Sequence, residues 1–439
     1  MKISKIVIPV ILIAALVFGW FGALKSISGT IISYNKYINA AKESIEDGLY
    51  EQAVEYYKSS MNYKEDSDTY LLIMDVYELY YEEEHTSAVR SAYISDMEEA
   101  AAAYTKKSVF WEKIIELYMD AEKYSYAYET VTQAMNYGVS SSVIEAYYEE
   151  LIYMVQTDSK LYYGLKTAGN GYITVSDGSS WYVIDNEGSS VTGSYEMIGI
   201  LNSSGEGLYM NSVDARFLDS EEITRARFDF EFEDAGCYDK DSGYIPVKID
   251  GIWRYVDLEG NFLTGEFNEA GRFYDGRAAV QTDEGWFLID TSGERCSEIY
   301  EDIKLDLSGN YLQSGIILAD DGDGYAVYDK NFEKVSDFVC NDIDIYAGDG
   351  LIAYEDDGLW GYIDSNGDIV IEPQYSQAKS FSNGMAAVAD EDGKWGFINE
   401  DYELVIECEY LDAYYFTSDG TCMISKTENT WQLMSFKFE

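Results

Sequence analysis

The sequence predicts a multidomain α plus β chain: an N-terminal transmembrane helix, an α-helical array, then an all-β repeat domain. Three observations predict it. Ile6 to Leu24 is an uncharged apolar run, residues 34–160 carry helical periodicity with almost no Gly, and residues 161–439 return to one Trp-centred pattern again and again. The division is therefore 1–33 for a cytoplasmic stub and signal anchor, 34–160 for helical repeats, and 161–439 for β repeats.

Composition bounds what such a chain does. At 439 residues it exceeds a typical single domain. Its net charge is −51, with 81 Asp and Glu against 30 Lys and Arg. A hydrophobic share of 47% and 42 Tyr supply enough apolar surface for packed cores, so the acidity is not that of a disordered polyelectrolyte. It repels nucleic acid, which selects Lys/Arg-rich surfaces. The five Cys (Cys237, Cys296, Cys340, Cys408 and Cys422) show no metal-ligand spacing and read as small buried hydrophobes. Cys408 and Cys422 fall in one repeat and are the candidate disulfide if the compartment is oxidising.

In the first segment, Lys2 and Lys5 precede residues 6–24, and Lys25 follows. At about 1.5 Å per residue the run crosses most of a hydrocarbon core. It is longer than the apolar part of a usual signal peptide and lacks a small-x-small cleavage site, so an uncleaved anchor is expected. Pro9 lies near its start, where it is tolerated. The expectation is a single-pass cell-membrane protein, N-terminus cytoplasmic, residues 25–439 extracytoplasmic.

In the second segment, Tyr37, Ala40, Ala41 and Ile45 share a helical face, and Gly48 starts a turn into a helix around Ala53. Trp111, Ile114, Ile115 and Tyr118 line another helix, and Ala127, Val131 and Ala134 its partner. Tyr70, Ile73, Met74 and Tyr77 with Ala88 and Ala92 read as a degenerate pair around an extended loop, Glu82 to Ser87; Ser142 to Gln156 reads as a capping helix. Bulky residues on one helix meeting small ones on the next resemble the tetratricopeptide repeat, which implies a superhelical array whose first helices line a groove. Glu112, Glu116 and Asp120, spaced i, i+4, i+8, form an acidic stripe and are the candidate binding residues for a basic peptide or tail. A solvated face is the plainer alternative. His85, the only His, falls in the loop of the weak pair, which leaves zinc sites and Ser-His-Asp chemistry without support.

In the third segment, Trp181, Ala215, Trp253, Trp286, Tyr325, Trp360, Trp395 and Trp431 stand at nearly constant spacing. Each begins a short strand that ends in Asp185, Asp219, Asp257, Asp290, Asp329, Asp364, Asn399 or Ser435. Gly, Asp and Asn after each strand predict a hairpin turn, and four short antiparallel strands fill a unit. The Trp-Gly pairs at Trp360-Gly361 and Trp395-Gly396, with their eroded copies, resemble the WG repeat family. That resemblance implies an interaction scaffold and transfers no catalytic residue. Gly after Trp is replaced by Arg254, Phe287 and Gln432, which puts close packing there in doubt. The last unit stops soon after its Trp strand, and Leu161 to Leu165 are positioned to complete it, so a propeller-like closed array of about eight units is expected. An open β-solenoid is the alternative.

The acidic turns Asp364-Asn366-Asp368 and Asp321-Asp323 invite a calcium reading, but neither has the spacing of an EF-hand loop; turn chemistry explains them better. No cofactor, metal or catalytic residue is assigned. The expected function is a membrane-anchored, non-catalytic scaffold for protein or cell-envelope ligands, cell-wall carbohydrate included. The competing class is an envelope enzyme such as a carboxylate-dependent carbohydrate hydrolase.

Overall fold

The computed structural model describes residues 29–438, apart from 170–171, 213 and 348–349. The chain divides into two compact units, one ending at Ile152 and the other spanning Tyr153–Lys437.

The first unit is helical. Helix α1 covers residues 29–46, followed by α2 (Tyr50–Met61), α3 (Ser67–Glu83), α4 (Ser87–Ala103), α5 (Ser108–Asp120), α6 (Tyr124–Asn136) and α7 (Ser142–Ile152). From α2 onward each helix packs on the next. Asp66 caps α3 by accepting the Thr69 N–H at 3.0 Å, and Thr86 caps α4 through Val89 N–H. Ala41, Ala53, Ala127 and Ala134 are fully buried, as the alternation of small and bulky residues requires of helices in close approach. Phe110, Trp111, Ile114, Ile115 and Leu117 form the buried face of α5. The connection between α3 and α4 is shorter than the sequence suggests, because the Asp66 and Thr86 caps define two long helices with only residues 84–86 between them.

The membrane expectation is corrected. The run 6–24 lies outside the described residues, and no helix among the described residues is long and apolar enough to cross a membrane. In α1, Lys36, Lys42, Glu43 and Glu46 interrupt any apolar stretch. A single-pass location with residues 25–439 extracytoplasmic is therefore not supported.

The second unit holds eight small antiparallel sheets in chain order. Their Trp strands are Trp181–Ile184, Asp214–Leu218, Ile252–Asp257, Gly285–Asp290, Tyr325–Asp329, Leu359–Ile363, Trp395–Ile398 and Gln432–Phe436. Each begins within a residue or so of the Trp or substitute that marks the repeat. In sheets two to seven the first strand is only two residues long, as in Gln377–Ala378. Successive sheets meet through side chains: Ala279, Trp286 and Leu288 pack with Ile317 and Ala326, and Met385 and Phe397 with Cys422 and Met434.

The last sheet draws a strand from the start of the unit. Val155–Thr157 pairs antiparallel with Gln432–Phe436, matching Val155 to Phe436. Tyr162 and Trp431 form a further bridge, each N–H donating to the other's carbonyl. The stretch 161–165 thus supplies one bridging residue, while the strand itself comes from earlier residues.

The expected propeller-like closed array is corrected to a series of eight small separate sheets, with no closed barrel or propeller among the described residues. A solenoid's continuous ladder is equally absent from the described residues. All five Cys are free, so the pair Cys408–Cys422 is not formed. Cys237, Cys340 and Cys422 are buried, as small hydrophobes.

Candidate functional site

The acidic stripe on α5 is present, and each of its carboxylates has an intramolecular partner. Glu112 accepts a hydrogen bond from the Ser141 hydroxyl at 2.5 Å. Glu116 pairs with Lys113 at 2.6 Å, and Lys113 also reaches Glu78 at 2.7 Å. Asp120 accepts from the Tyr81 hydroxyl at 2.9 Å and from Arg90 Nη2 at 3.3 Å. His85 stacks on the Tyr81 ring at 4.0 Å between centroids, with Nε2 3.6 Å from Asp120. Burial pushes the Tyr81 hydroxyl pKa up, opposed by Arg90 and supported by Asp120. The stripe therefore joins α3, α4, α5 and the start of α7, a stitching role that residue spacing does not reveal.

A different feature of this unit is concave. A cavity of about 650 Å³ opens between α2, α3 and α4. Its floor is Val54, Tyr77 and Val89, each 5% exposed. Glu51, Glu55 and Glu84 stand exposed around it, with Tyr56 and Tyr80 as walls. Glu51 accepts from the Tyr80 hydroxyl at 3.2 Å. Among the described residues Lys58 is the one cation lining the cavity, and it is committed to the buried Asp96, which also accepts from Tyr77 at 2.9 Å. Sequence reasoning missed this place. The i, i+4 spacing of Glu51 and Glu55 is visible in the chain, but the approach of α4 to α2 is not.

In the β unit the repeated residues are absorbed by the fold. Trp253, Trp286 and Trp395 are buried, while Trp181, Trp360 and Trp431 are half-buried. The Asp ending each Trp strand is a turn residue. Asp364 accepts from the N–H of Asn366 at 2.8 Å and of Asp368 at 2.9 Å, and Asn399 accepts from Asp401 and Glu403, each at 3.0 Å. The same two-bond turn forms at Asp185, Asp219, Asp257, Asp290 and Asp329. Hydrogen bonds from Ile223 N–H, the Ser292 hydroxyl and Glu333 N–H hold Asp219, Asp290 and Asp329 below the usual carboxylate range. At Asp257 and Asp364 burial pulls upward, and the bonds from Asn261 and Asp368 outweigh it. Among the described residues no group of three or more His, Cys, Asp or Glu is placed to hold a metal ion.

The glycine of the Trp-Gly pair has a specific task. A Cβ on Gly361 would lie 2.4 Å from the Ile371 carbonyl oxygen and 2.8 Å from Pro373 N. On Gly396 it would lie 2.5 Å from the Ile406 oxygen and 2.9 Å from Cys408 Sγ. The space left by the missing side chain is filled by backbone of the neighbouring strand.

These features define a class: a repeat protein of helical and β units, of the kind suited to interactions. Residues 253–286, 360–395 and 395–431 match the WG containing repeat, so the chain carries WG repeats across 253–431. The matched segments begin and end on the tryptophans that mark the sheets. No curated protein matches the chain in sequence. Solved structures with a distant likeness include Hsv2 of Kluyveromyces lactis (12% identity, 54% of this chain, 92% of that one, TM-score 0.35). Others are a eukaryotic initiation factor (10%, 62% and 83%, TM-score 0.40) and the AfRom2 CNH domain (11%, 64% and 96%, TM-score 0.33). No activity carries over from likenesses this remote.

Proposed function

We propose that the chain is a non-catalytic interaction scaffold for protein partners. The observation that carries this reading is the fate of the repeated residues. Trp packs, Gly makes room for backbone, and Asp or Asn closes turns, so the repeated residues build a platform rather than a reaction centre. The helical unit adds a groove of a size that receives side chains of another molecule.

The test uses the full-length chain, immobilised and offered the proteins and the purified cell-wall polysaccharide of its source. The expected outcome is retention of a defined protein at fixed stoichiometry, with the masses of both components unchanged. Release of a new small product from the polysaccharide, or a covalent change in the retained protein, overturns the non-catalytic reading. Retention of polysaccharide with no protein overturns the assignment of the partner class.

A further inference from the structure

We infer that the cavity between α2, α3 and α4 is the docking groove for one amphipathic helix of a partner, bearing Lys or Arg beside a narrow apolar face. The inference rests on the scaffold reading above and names the partner's chemistry at one place.

Two rows of side chains set the shape. Glu51, Glu55 and Lys58 follow helical spacing along α2, and Ala88 and Ala92 do so along α4. Rows at i, i+4 on two neighbouring helices bound a trough that accepts the ridge of a third. Ala88 and Ala92 are exposed and small, so the α4 wall is low and a helix backbone can come close. The floor of Val54, Tyr77 and Val89 takes apolar side chains.

Charge then selects the occupant. Glu55 and Glu84 are exposed and lie outside every ion pair and side-chain hydrogen bond among the described residues. Glu51 is bonded only by a neutral tyrosine hydroxyl. With Lys58 turned to Asp96, the rim carries three carboxylates and no free cation among the described residues. An acidic helix would be repelled there, and a second copy of a chain with net charge −51 is disfavoured for the same reason. A Lys/Arg-bearing helix meets both the apolar floor and the acidic rim. The α5 stripe is less suited, because Lys113 and Arg90 already neutralise Glu116 and Asp120. The groove also involves α2 and α4, the second helices of their hairpins, rather than the first-helix surface that carries the stripe.

The experiment measures fluorescence anisotropy of a fluorescein-labelled Lys/Leu amphipathic helix peptide on the full-length chain, with the Glu/Leu peptide of the same pattern as control. The Lys/Leu peptide is expected to bind, more weakly as salt rises from about 0.05 M to about 0.5 M, and the Glu/Leu peptide not to bind. Glu55→Gln with Glu84→Gln is expected to weaken binding about tenfold or more, as is Ala92→Trp, which fills the trough without changing charge. Glu187→Gln with Glu391→Gln, on exposed turns of the β unit, removes the same charge elsewhere and is expected to leave affinity unchanged. Equal weakening by both charge pairs, or indifference to Ala92→Trp in a chain that retains its helical circular dichroism, overturns the inference as general attraction to an acidic surface. If Ala92→Trp unfolds the helices, the two charge pairs decide alone. The scaffold reading fails separately, when no protein is retained at all; the groove fails when a retained protein ignores these substitutions.

Discussion

Sheets six and seven carry glycine after the Trp where sheets three and four carry Arg254 and Phe287, and the outer edge differs as well. Where Gly361 and Gly396 follow the Trp, the outer strand is a seven-residue element, Ile369–Tyr375 or Leu404–Tyr410. Its register jumps from Trp360–Tyr375 to Tyr362–Ile371, and from Trp395–Tyr410 to Phe397–Ile406, so several outer residues bulge against the single glycine. Where Arg254 and Phe287 follow the Trp, the outer segment touches the Trp strand only at isolated bridges: Trp253–Phe267 with Val256–Phe262, and Trp286–Tyr300 with Ile289–Arg295. Sheet five, with Ala326 in that place, also has bridges only, at Tyr325–Cys340 and Tyr328–Lys334. Sheets two and eight, with Arg216 and Gln432 in that place, still pair an outer strand, Thr224–Phe228 and Val155–Thr157, so the glycine marks where backbone presses on backbone in the bulged seven-residue edge rather than whether an edge strand forms.

The comparison can be broken first at what the two regions share. Phe397 and Tyr255 are both fully buried. Phe397→Ala and Tyr255→Ala are each expected to cost about 3–5 kcal/mol, read by urea unfolding followed by tryptophan fluorescence. A much smaller loss in one would mean that the two regions do not have equivalent cores.

The next effect separates the regions. Gly396→Ala is expected to cost about 1–3 kcal/mol, since the new Cβ meets the Ile406 carbonyl and Cys408. Arg254→Ala removes only a half-exposed pair with Glu266 and is expected to stay within about 0.5 kcal/mol. Hydrogen exchange should report amides 404–410 opening in Gly396→Ala. Equal costs at the two positions would refute the packing role of the glycine.

Cys408 gives a finer probe of the same edge. Its thiol pKa is pushed up by burial, beside Gly396. Labelling with a thiol reagent at neutral pH is expected to be fast at exposed Cys296 and slow at Cys408, then faster at Cys408 in Gly396→Ala. Unchanged Cys408 labelling in that variant would place its protection elsewhere than in the outer strand.

The smallest expected effect concerns acid. Asp364 titrates below the usual carboxylate range, so its turn contributes stability above about pH 4 that is lost as pH falls through the folded value. The equivalent residue in sheet seven is Asn399, which does not titrate. Asp364→Asn is expected to leave stability at neutral pH nearly unchanged and to flatten its fall in acid, measured as urea midpoints at several pH values. A steeper acid loss in the variant would contradict the turn assignment.

Much of this was legible in the chain. The spacing of Trp181 through Trp431 located all eight sheets because each repeat is one local unit whose turns are written in adjacent residues. The helical pairs were legible for the same reason, from Ala53 against its neighbours and from Ala127 and Ala134 after Trp111. The groove residues Glu55 and Glu84 were not, because their meeting depends on the approach of separate helices. The i, i+4, i+8 spacing of Glu112, Glu116 and Asp120 is visible in the chain, but their partners Ser141, Lys113, Tyr81 and Arg90 come from other turns and helices.

Sequence by itself determined the period, the turn chemistry and the small-against-large helical pattern, all of which are local and set by backbone geometry and side-chain size. The tertiary structure decided the rest. It brought Val155–Thr157 to Gln432–Phe436, set backbone against Gly361 and Gly396, gave each carboxylate of the acidic stripe an intramolecular partner and left Glu55 and Glu84 open beside a cavity. Those outcomes depend on which distant surfaces exclude water together, and residue spacing along the chain does not encode that directly.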